Sequence, residues 1–564
     1  MPPITKSPGR LRFGPRAALA AFLAAYLGVT HLFLAANTEP PTWDEALYLA
    51  NSEIVFQTLK GNHEYSSRYY GMDENAACYI CSFLSRLMGG VHTPLIALWP
   101  IPGYALLGTG LAGMTATYSS WIILFAVVYY GLVARLTDEW TAFVAVAVTS
   151  TMPLTVGLSR RFFMEYGLMM LVVLWLYLQL LSQGFSDRRF AVPLGMVLGL
   201  GLLQKILFPI FIAGPAVLEA LRSVRADGSR ARLVSLLTTG LIIAASAVLV
   251  SGIWYIPNFE TIVKHGLGSA TAQAYGPGAV WDLHTLLAYW LGLINYGVGT
   301  YYAFAGLLLG MLVWMGARAD RQRAVTLPGR RISGHGHALI LTWLLVPFAM
   351  FSFSVNKDVR FFLPALPAAG FVVAYLGLSA FRRAKPGLAG IPILLAFPSL
   401  LLLYVSLPLG GRVDWQASVG GSALTIFSPQ MGYAYQPVQE AWPLAEILYS
   451  IQADIRGRPR QTRWIGVVPS HRYFNENTFL YMAVHHGYDF LFTGVHPAAG
   501  TELETQALLP SVDYLVTKTG DQGFPGAYDA EITPLLLRRG LAFVEIASFP
   551  LPDGSSALVF RKVE

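Results

Sequence analysis

Two adjacent carboxylates, Asp44 and Glu45, follow Trp43 in the stretch PPTWDEALYLANS (40–52), directly after a long apolar run. Ionisable groups so close to a membrane are costly unless they line a wet cavity or have partners. Further charges stand at comparable places. Glu165 follows Arg160 and Arg161 in SRRFFMEYG (159–167), Lys205 interrupts LGLLQKILFP (200–209), and NKDVRFFLPALP (356–367) carries Lys357, Asp358 and Arg360. Gathered at one depth, these residue types suit a particular chemistry. A carboxylate can take a proton from a hydroxyl nucleophile, and Arg or Lys can hold a phosphate leaving group. Each residue also has a purely structural reading. Asp44 and Glu45 could be a helix-boundary pair facing water, with Glu45 tuning its neighbour. Glu165 could pair with Arg160 or Arg161 to organise a loop, and Lys205 and Arg360 could snorkel to lipid headgroups.

The elements that must position these residues are read from composition. The 564 residues are 54% hydrophobic and only 13% charged, with mean hydropathy +0.50. A soluble domain carries about 25% charged residues, so lipid is the solvent for most of this chain. The net charge of +7 does not indicate nucleic acid, because the basic residues punctuate apolar runs and form no single patch. Residues 17–36 form an apolar stretch preceded by Lys6, Arg10, Arg12 and Arg16, too long for a signal-peptide core and read as a retained first helix. Further apolar segments lie near 118–136, 140–157, 165–183, 190–204, 206–221, 233–253, 285–316, 338–352, 361–380 and 387–408, about eleven spans together. Arginine-rich connections at 188–189, 222–232, 318–331 and 382–385 alternate with poorer ones. The positive-inside rule then places the N-terminus in the cytoplasm and the C-terminal part outside, with Asp44, Glu165, Lys205 and Arg360 all at outer junctions.

Two outer pieces exceed connectors. Residues 37–100 form a long first outer loop in which 76–88 is amphipathic. Residues 409–564 change texture: WIGVVPS, DFLFTGV, DYLVTKT, LAFVEIASF and ALVFRK read as strands, and NENTFLYMAVHHG, TELETQALL and AEITPLLLRRG as helices. The expected architecture is a polytopic α-helical membrane domain over 1–408 and an extracytoplasmic α/β domain over 409–564, with a partly parallel sheet. Cys78 and Cys81 are the only cysteines, so no disulfide framework is expected. Their spacing is half a zinc site at most, and more simply one face of an amphipathic helix. His335 and His337 of HGH read as a solvated loop, and VLGLG (197–201) as helix packing without a preceding strand.

Trp43-Asp44-Glu45 after the first span resembles the GT-C class of polyprenyl-phosphate-sugar-dependent glycosyltransferases, in the style of the bacterial relatives of protein O-mannosyltransferases and of the lipid A aminoarabinose transferase. The resemblance covers roughly residues 17–380. Asp44 falls where that class has its first-loop catalytic acid, and Glu165 where it has an acid near the start of the fourth span. Gly199, Gly201 and Lys205 match its Gly-x-Gly-x-x-x-Lys pattern, and Arg360, Phe361 and Pro364 its Arg-aromatic-x-x-Pro signature; GIWYIPN (252–258) is similar as well. The resemblance implies inverting transfer of a monosaccharide from a polyprenyl-phosphate donor to a hydroxyl of a lipid, glycan or protein at the outer face of the plasma (inner) membrane. Asp44, Glu45 and Glu165 are then the catalytic candidates, and Lys205, Arg360, Lys357 and Arg161 the donor-phosphate ligands. No nucleotide site is required. A divalent cation between paired carboxylates is conceivable, although the sequence shows no clean ligand set for one. Charged residues in spans also fit a transporter or lipid flippase, and a scaffold that keeps the fold without the chemistry is a third reading.

Overall fold

The structure is a computed structural model. It describes residues 14–73, 78–271, 282–323, 334–383, 390–409, 413–419, 422–456, 463–495, 511–523 and 543–563. After α1 (Pro15–Ala36) and the shorter α2 (Trp43–Leu59), the bundle continues with α3 (Leu111–Leu136), α4 (Glu139–Ser150), α5 (Met164–Leu181), α6 (Ala191–Gln204), α7 (Phe208–Ala226) and α8 (Arg230–Thr271). It closes with α9 (Leu283–Gly292), α10 (Thr300–Arg323), α11 (Gly334–Ser352), α12 (Leu366–Arg383) and α13 (Gly390–Tyr404). Every apolar segment expected to span is therefore helical, but they are not eleven full-length helices. Among the described residues five are long and apolar enough to cross a membrane, or six if the pair bent by 94° near Gly299 counts as one span. The rest are interrupted for identifiable reasons. Pro153, which has no N–H to continue the ladder, starts a new helical piece after α4. Lys205 leaves α6 in an extended conformation (φ −165°, ψ 135°), because its ammonium is used elsewhere.

Within the bundle α5 is the central helix, buried along most of its length. Trp121 of α3 stacks on Phe162 and Tyr166 around its start. Fully buried Trp254 and Trp343 complete an aromatic core, each indole N–H donating to a backbone carbonyl, of Leu87 and Pro364 respectively. Such pairing is what a buried indole needs.

The first long loop, residues 37–100, holds α2, the short helices His63–Tyr70, Tyr79–Arg86 and Leu95–Leu98, and a 3₁₀ turn at Leu87–Gly90. Cys78 and Cys81 are joined in a disulfide that closes only the first turn of the second short helix, so it links no separate elements and leaves neither thiol for a metal. The C-terminal part opens with two small hairpins, β1–β2 (Trp415–Val419, Ser422–Phe427) and β3–β4 (Gln430–Met431, Ala434–Tyr435). Met431 and Ala434 of the second hairpin are buried in the bundle core. Its approach needs two glycines. A Cβ on Gly157 would lie 2.3 Å from the Tyr433 carbonyl carbon, and Gly432 sits at φ +64° in the turn.

A second core starts at Trp442. Here α14 (Leu444–Ile455) and α15 (Glu476–His486) cover a five-stranded sheet of β5 (Arg463–Val467), β6 (Phe490–Gly494), β7 (Tyr514–Lys518), β8 (Phe543–Pro550) and β9 (Ser556–Lys562). The order is β6-β5-β7-β9-β8, parallel through β7 and antiparallel beyond it. The five strands and α15 match the sequence reading; α14 and both hairpins were not expected. The other two expected helices, at 501–509 and 530–540, lie outside the described residues.

The α/β unit sits directly on α2. The Trp43 indole donates to the Ser470 carbonyl (3.2 Å), Thr478 Oγ1 to the Pro41 carbonyl (3.2 Å), and Arg68 pairs with Asp489 at 2.7 Å. His485 Nδ1 lies 2.8 Å from Glu53 Oε1, a carboxylate buried on α2. The hydrogen bond to Glu53 raises the His485 pKa above its ordinary value, and burial raises that of Glu53. Both shifts have the same sign. A raised folded-state pKa contributes stability that is complete below the unfolded value and lost as pH rises through the folded one. The α2–α15 contact should therefore loosen as pH climbs from about 6.5 into the alkaline range. Hydrogen exchange of α15 amides, followed against pH after correction for intrinsic rates, should show this loss of protection, and His485→Gln should remove the imidazole contribution and leave only that of Glu53.

Candidate active site

Local structure separates the two neighbouring carboxylates. Thr42 is the extended N-cap of α2 (φ −95°, ψ 146°), and Glu45, three positions on, returns its Oε2 to accept the Thr42 N–H at 3.4 Å. Such a capping box commits Glu45 to its own helix end. Asp44, one residue earlier and so about 100° round the helix, points elsewhere. Trp43 before it is held at φ +22°, a strained value for a bulky residue.

Four chain segments meet at Asp44. Its Oδ2 accepts from Arg360 Nη2 at 3.1 Å. Arg360 Nε lies 2.9 Å from Asp358 Oδ2 and 3.6 Å from Glu165 Oε1, and the same Glu165 oxygen is 2.5 Å from Lys205 Nζ. Arg360 belongs to the 3₁₀ turn Val359–Ala365, whose N-cap Asp358 accepts the Arg360 backbone N–H at 3.0 Å. Tyr433, from the inserted β3–β4 hairpin, donates to Asp358 Oδ2 at 3.0 Å. Aromatic faces hold the cations, with the Arg360 guanidinium 4.9 Å over Phe163 and the Lys205 ammonium 4.1 Å over Phe361. Glu165 is 1% exposed and its Oε2 has no hydrogen-bond partner. The Asp44 side chain keeps 37% of its surface open, which makes it the reachable carboxylate.

Burial by itself would raise the Asp44 pKa; the positive charge of Arg360, then of His92 and Lys205, outweighs it and holds the carboxyl below its ordinary value. Tyr48, one turn further along α2, is buried beside this cluster. Burial first and the Asp44 charge second push its phenol up, so it stays protonated. The arrangement thus offers an ionised carboxylate at the edge of a cationic pocket, with the protonated phenol of Tyr48 alongside.

The other expected residues lie apart. Glu45 faces the opposite side, taking Arg161 Nη2 at 2.6 Å, Arg161 Nε at 3.1 Å and the Phe162 N–H at 2.8 Å. Arg161 also donates to Thr42 Oγ1 (2.8 Å) and Tyr435 OH (3.1 Å), and Glu39 beside them accepts from Tyr435 and Tyr473. This buried network lines a cavity of about 260 Å³ that Asp44 does not line. Lys357 donates to the Ser352 carbonyl at the end of α11 and is bonded to no member of the Asp44 cluster. Asp358, named beside Arg360 but given no role, joins the cluster, and Tyr433, Tyr48 and His92 join it without having been singled out for it. Tyr48 was accessible in principle, standing four residues after Asp44 on one helix face, whereas Tyr433 arrives from a distant hairpin with no signal in its own segment.

A divalent cation does not fit. Among the described residues no three His, Cys, Asp or Glu side chains converge as ligands, and the cluster's carboxylates already face Arg360 and Lys205.

No family model matches the chain, and no curated protein matches it in sequence. Its fold is nevertheless the polytopic α-helical GT-C type, carrying a C-terminal α/β domain. Solved structures of ArnT from Cupriavidus metallidurans are similar to it. The form bound to undecaprenyl phosphate has a TM-score of 0.55 and 14% identity, and the apo form 0.53 and 13%; in both the match covers 96% of this chain and 97% of that one.

The Glu45–Arg161 pair has a measurable consequence. Removing one partner of a buried pair leaves the other charge uncompensated and costs about 3–5 kcal/mol. Glu45→Gln should lower the thermal unfolding midpoint of the detergent-solubilised protein sharply, and Arg161→Gln should do the same. Were Glu45→Gln as stable as wild type, the pair would not be holding the start of α2.

Proposed function

We propose that this chain is an inverting glycosyltransferase that moves a monosaccharide from a polyprenyl-phosphate donor to a hydroxyl acceptor at the outer face of the membrane. The observation that carries this reading is the ionised, accessible Asp44 held by Arg360 beside Lys205 and Glu165 at one end of the bundle. In the reaction Asp44 accepts the acceptor's hydroxyl proton while that oxygen bonds to the anomeric carbon from the face opposite the phosphate. The bond from that carbon to the phosphate oxygen breaks, and its electron pair leaves with the polyprenyl phosphate. Lys205 and Arg360 stabilise the departing charge; beyond its bond to Glu165, the Lys205 ammonium has two further N–H donors. Undecaprenyl phosphate, bound in the ArnT structure of similar fold, is the kind of leaving group such a donor releases. In this reading the N-terminus is cytoplasmic, and the first loop and α/β domain stand outside the plasma membrane.

A transporter would place its charges near the bilayer midplane. Here they gather at the start of α5 and beside the outer loop, which supports the enzyme.

Two outcomes follow. Asp44→Asn, assayed with labelled polyprenyl-phosphate sugars and an envelope extract, should lose about 10²–10⁴-fold in transfer while remaining folded and binding donor; equal transfer by mutant and wild type would remove Asp44 from the mechanism. Because the Asp44 pKa is depressed, the active ionised form persists down to pH values below the ordinary aspartate range of about 4 and is lost only as pH falls through the folded value. The acid limb of kcat/KM set by Asp44 should lie there. Arg360→Gln should shift that limb upward.

A further inference from the structure

A second polar cluster occupies the opposite end of α5. Gln179 follows Glu165 by fourteen residues, about 21 Å along the helix axis at 1.5 Å per residue. There the ends of α5 and α7 and the beginning of α8 enclose a cavity of about 530 Å³, walled by Gln179, Gly184, Glu219, Arg222, Ser223 and Arg232.

The wall is built rather than incidental. Gln179 is 1% exposed; its Nε2 donates to the Pro215 carbonyl at 2.8 Å, which fixes the amide, and its Oε1 has no hydrogen-bond partner. A buried acceptor left this way carries a desolvation penalty that a ligand N–H or O–H would remove. The loop after α5 turns through three successive positive φ values, at Gln183, Gly184 and Phe185. Only glycine fits the middle position, since a Cβ there would stand 2.6 Å from Glu219 Oε1. The Gly184 carbonyl accepts from Arg232 Nη2 at 2.8 Å and from Ser223 Oγ at 2.7 Å. The same Arg232 nitrogen also donates to Ser223 Oγ at 2.7 Å. Arg222 stands at the rim, half exposed, with only a 3.9 Å ion pair to Glu219.

Charge points the same way. The two connections forming this end, 182–190 and 219–232, hold six arginines and three acids. Asp187 is paired with Arg189, and Asp227 caps the Ser229 N–H. Two guanidinium groups facing a cavity that also offers a buried amide oxygen and the carboxylates of Glu219 and Asp227 suit a ligand with an anion and a neighbouring donor.

We infer that this cavity is a binding site for a phosphate group bearing an adjacent hydroxyl or amine, the chemistry of a phospholipid headgroup. Arg222 and Arg232 take the phosphate oxygens, and Gln179 Oε1 and Glu219 accept from the hydroxyl or amine. The site stands independently of the transfer reaction proposed above, since it shares no residue with the Asp44 cluster.

The test uses the full chain in detergent, with binding read by native mass spectrometry and thermal shift. The probes are dioctanoyl phosphatidylglycerol, dioctanoylglycerol and glycerol phosphate. Wild type should bind one phosphatidylglycerol saturably, and Arg222→Gln and Gln179→Leu should each weaken it about tenfold. Glycerol phosphate binding with the same dependence would identify a soluble phosphate as the occupant; phosphatidylglycerol alone would identify the lipid. Equal binding of dioctanoylglycerol, no binding of either phosphate probe, or unchanged affinity in both variants would overturn the site. So would loss of binding in Lys205→Met with none in Arg222→Gln, which would move the lipid to the Asp44 end. Rim residue Arg222 guards against misfolding as an explanation, because its side chain is half exposed and supports no loop.

Discussion

Arg360 is the charge on which the rest depends. Its guanidinium faces Asp44, Glu165 and Asp358, carboxylates from α2, the start of α5 and the turn that carries Arg360 itself. Glu165 is buried and shares its charge between Arg360 and Lys205, while Asp44 and Asp358 are partly open, so the guanidinium links one buried and two accessible acids. The same bridge draws α2 onto the bundle and leaves part of Asp44 exposed. Stability and chemistry share one side chain here. The two phenylalanines flanking the cations come from other segments than the charges they support: Phe163, just before α5, lies under Arg360, and Phe361, beside Arg360, lies under Lys205.

The adjacent acids of α2 divide two tasks. Helix geometry turns Asp44 and Glu45 to different sides, so one enters the Arg360 cluster and the other locks the helix start to Arg161. Both networks reach the C-terminal part, the first through Tyr433 and the second through Tyr435 and Tyr473. The hairpin carrying Tyr433 and Tyr435 lies against the bundle because Gly157 and Gly432 allow backbone to meet backbone. The C-terminal part is thus a wall of the candidate site as well as a domain of its own.

The central helix α5 is polar only at its extremities. Glu165 stands in its first turn and Gln179 in its last, with an apolar, buried body between them. A membrane helix arranged this way can serve two interfaces while keeping carboxylate and amide groups out of the middle of the hydrocarbon.

The sequence alone determined the solvent, the helical segments, the five strands of the C-terminal sheet and four members of the charge cluster, Asp44, Glu165, Lys205 and Arg360. These are local signals: apolar runs, alternation within short strands, and charges where apolar runs end. Tertiary structure decided the rest. Glu45 and Arg161 have the right types for the site and belong to a neighbouring network, because a capping box and an ion pair fix them there. Lys357, three residues from Arg360, closes a helix end. Tyr433, more than seventy residues from the Asp358 it supports, joins through a hairpin that the pattern of its own segment does not announce. Residue type limits which chemistry a side chain can do; the directions imposed by helix caps and the close approach of distant backbones decide which side chains do it together.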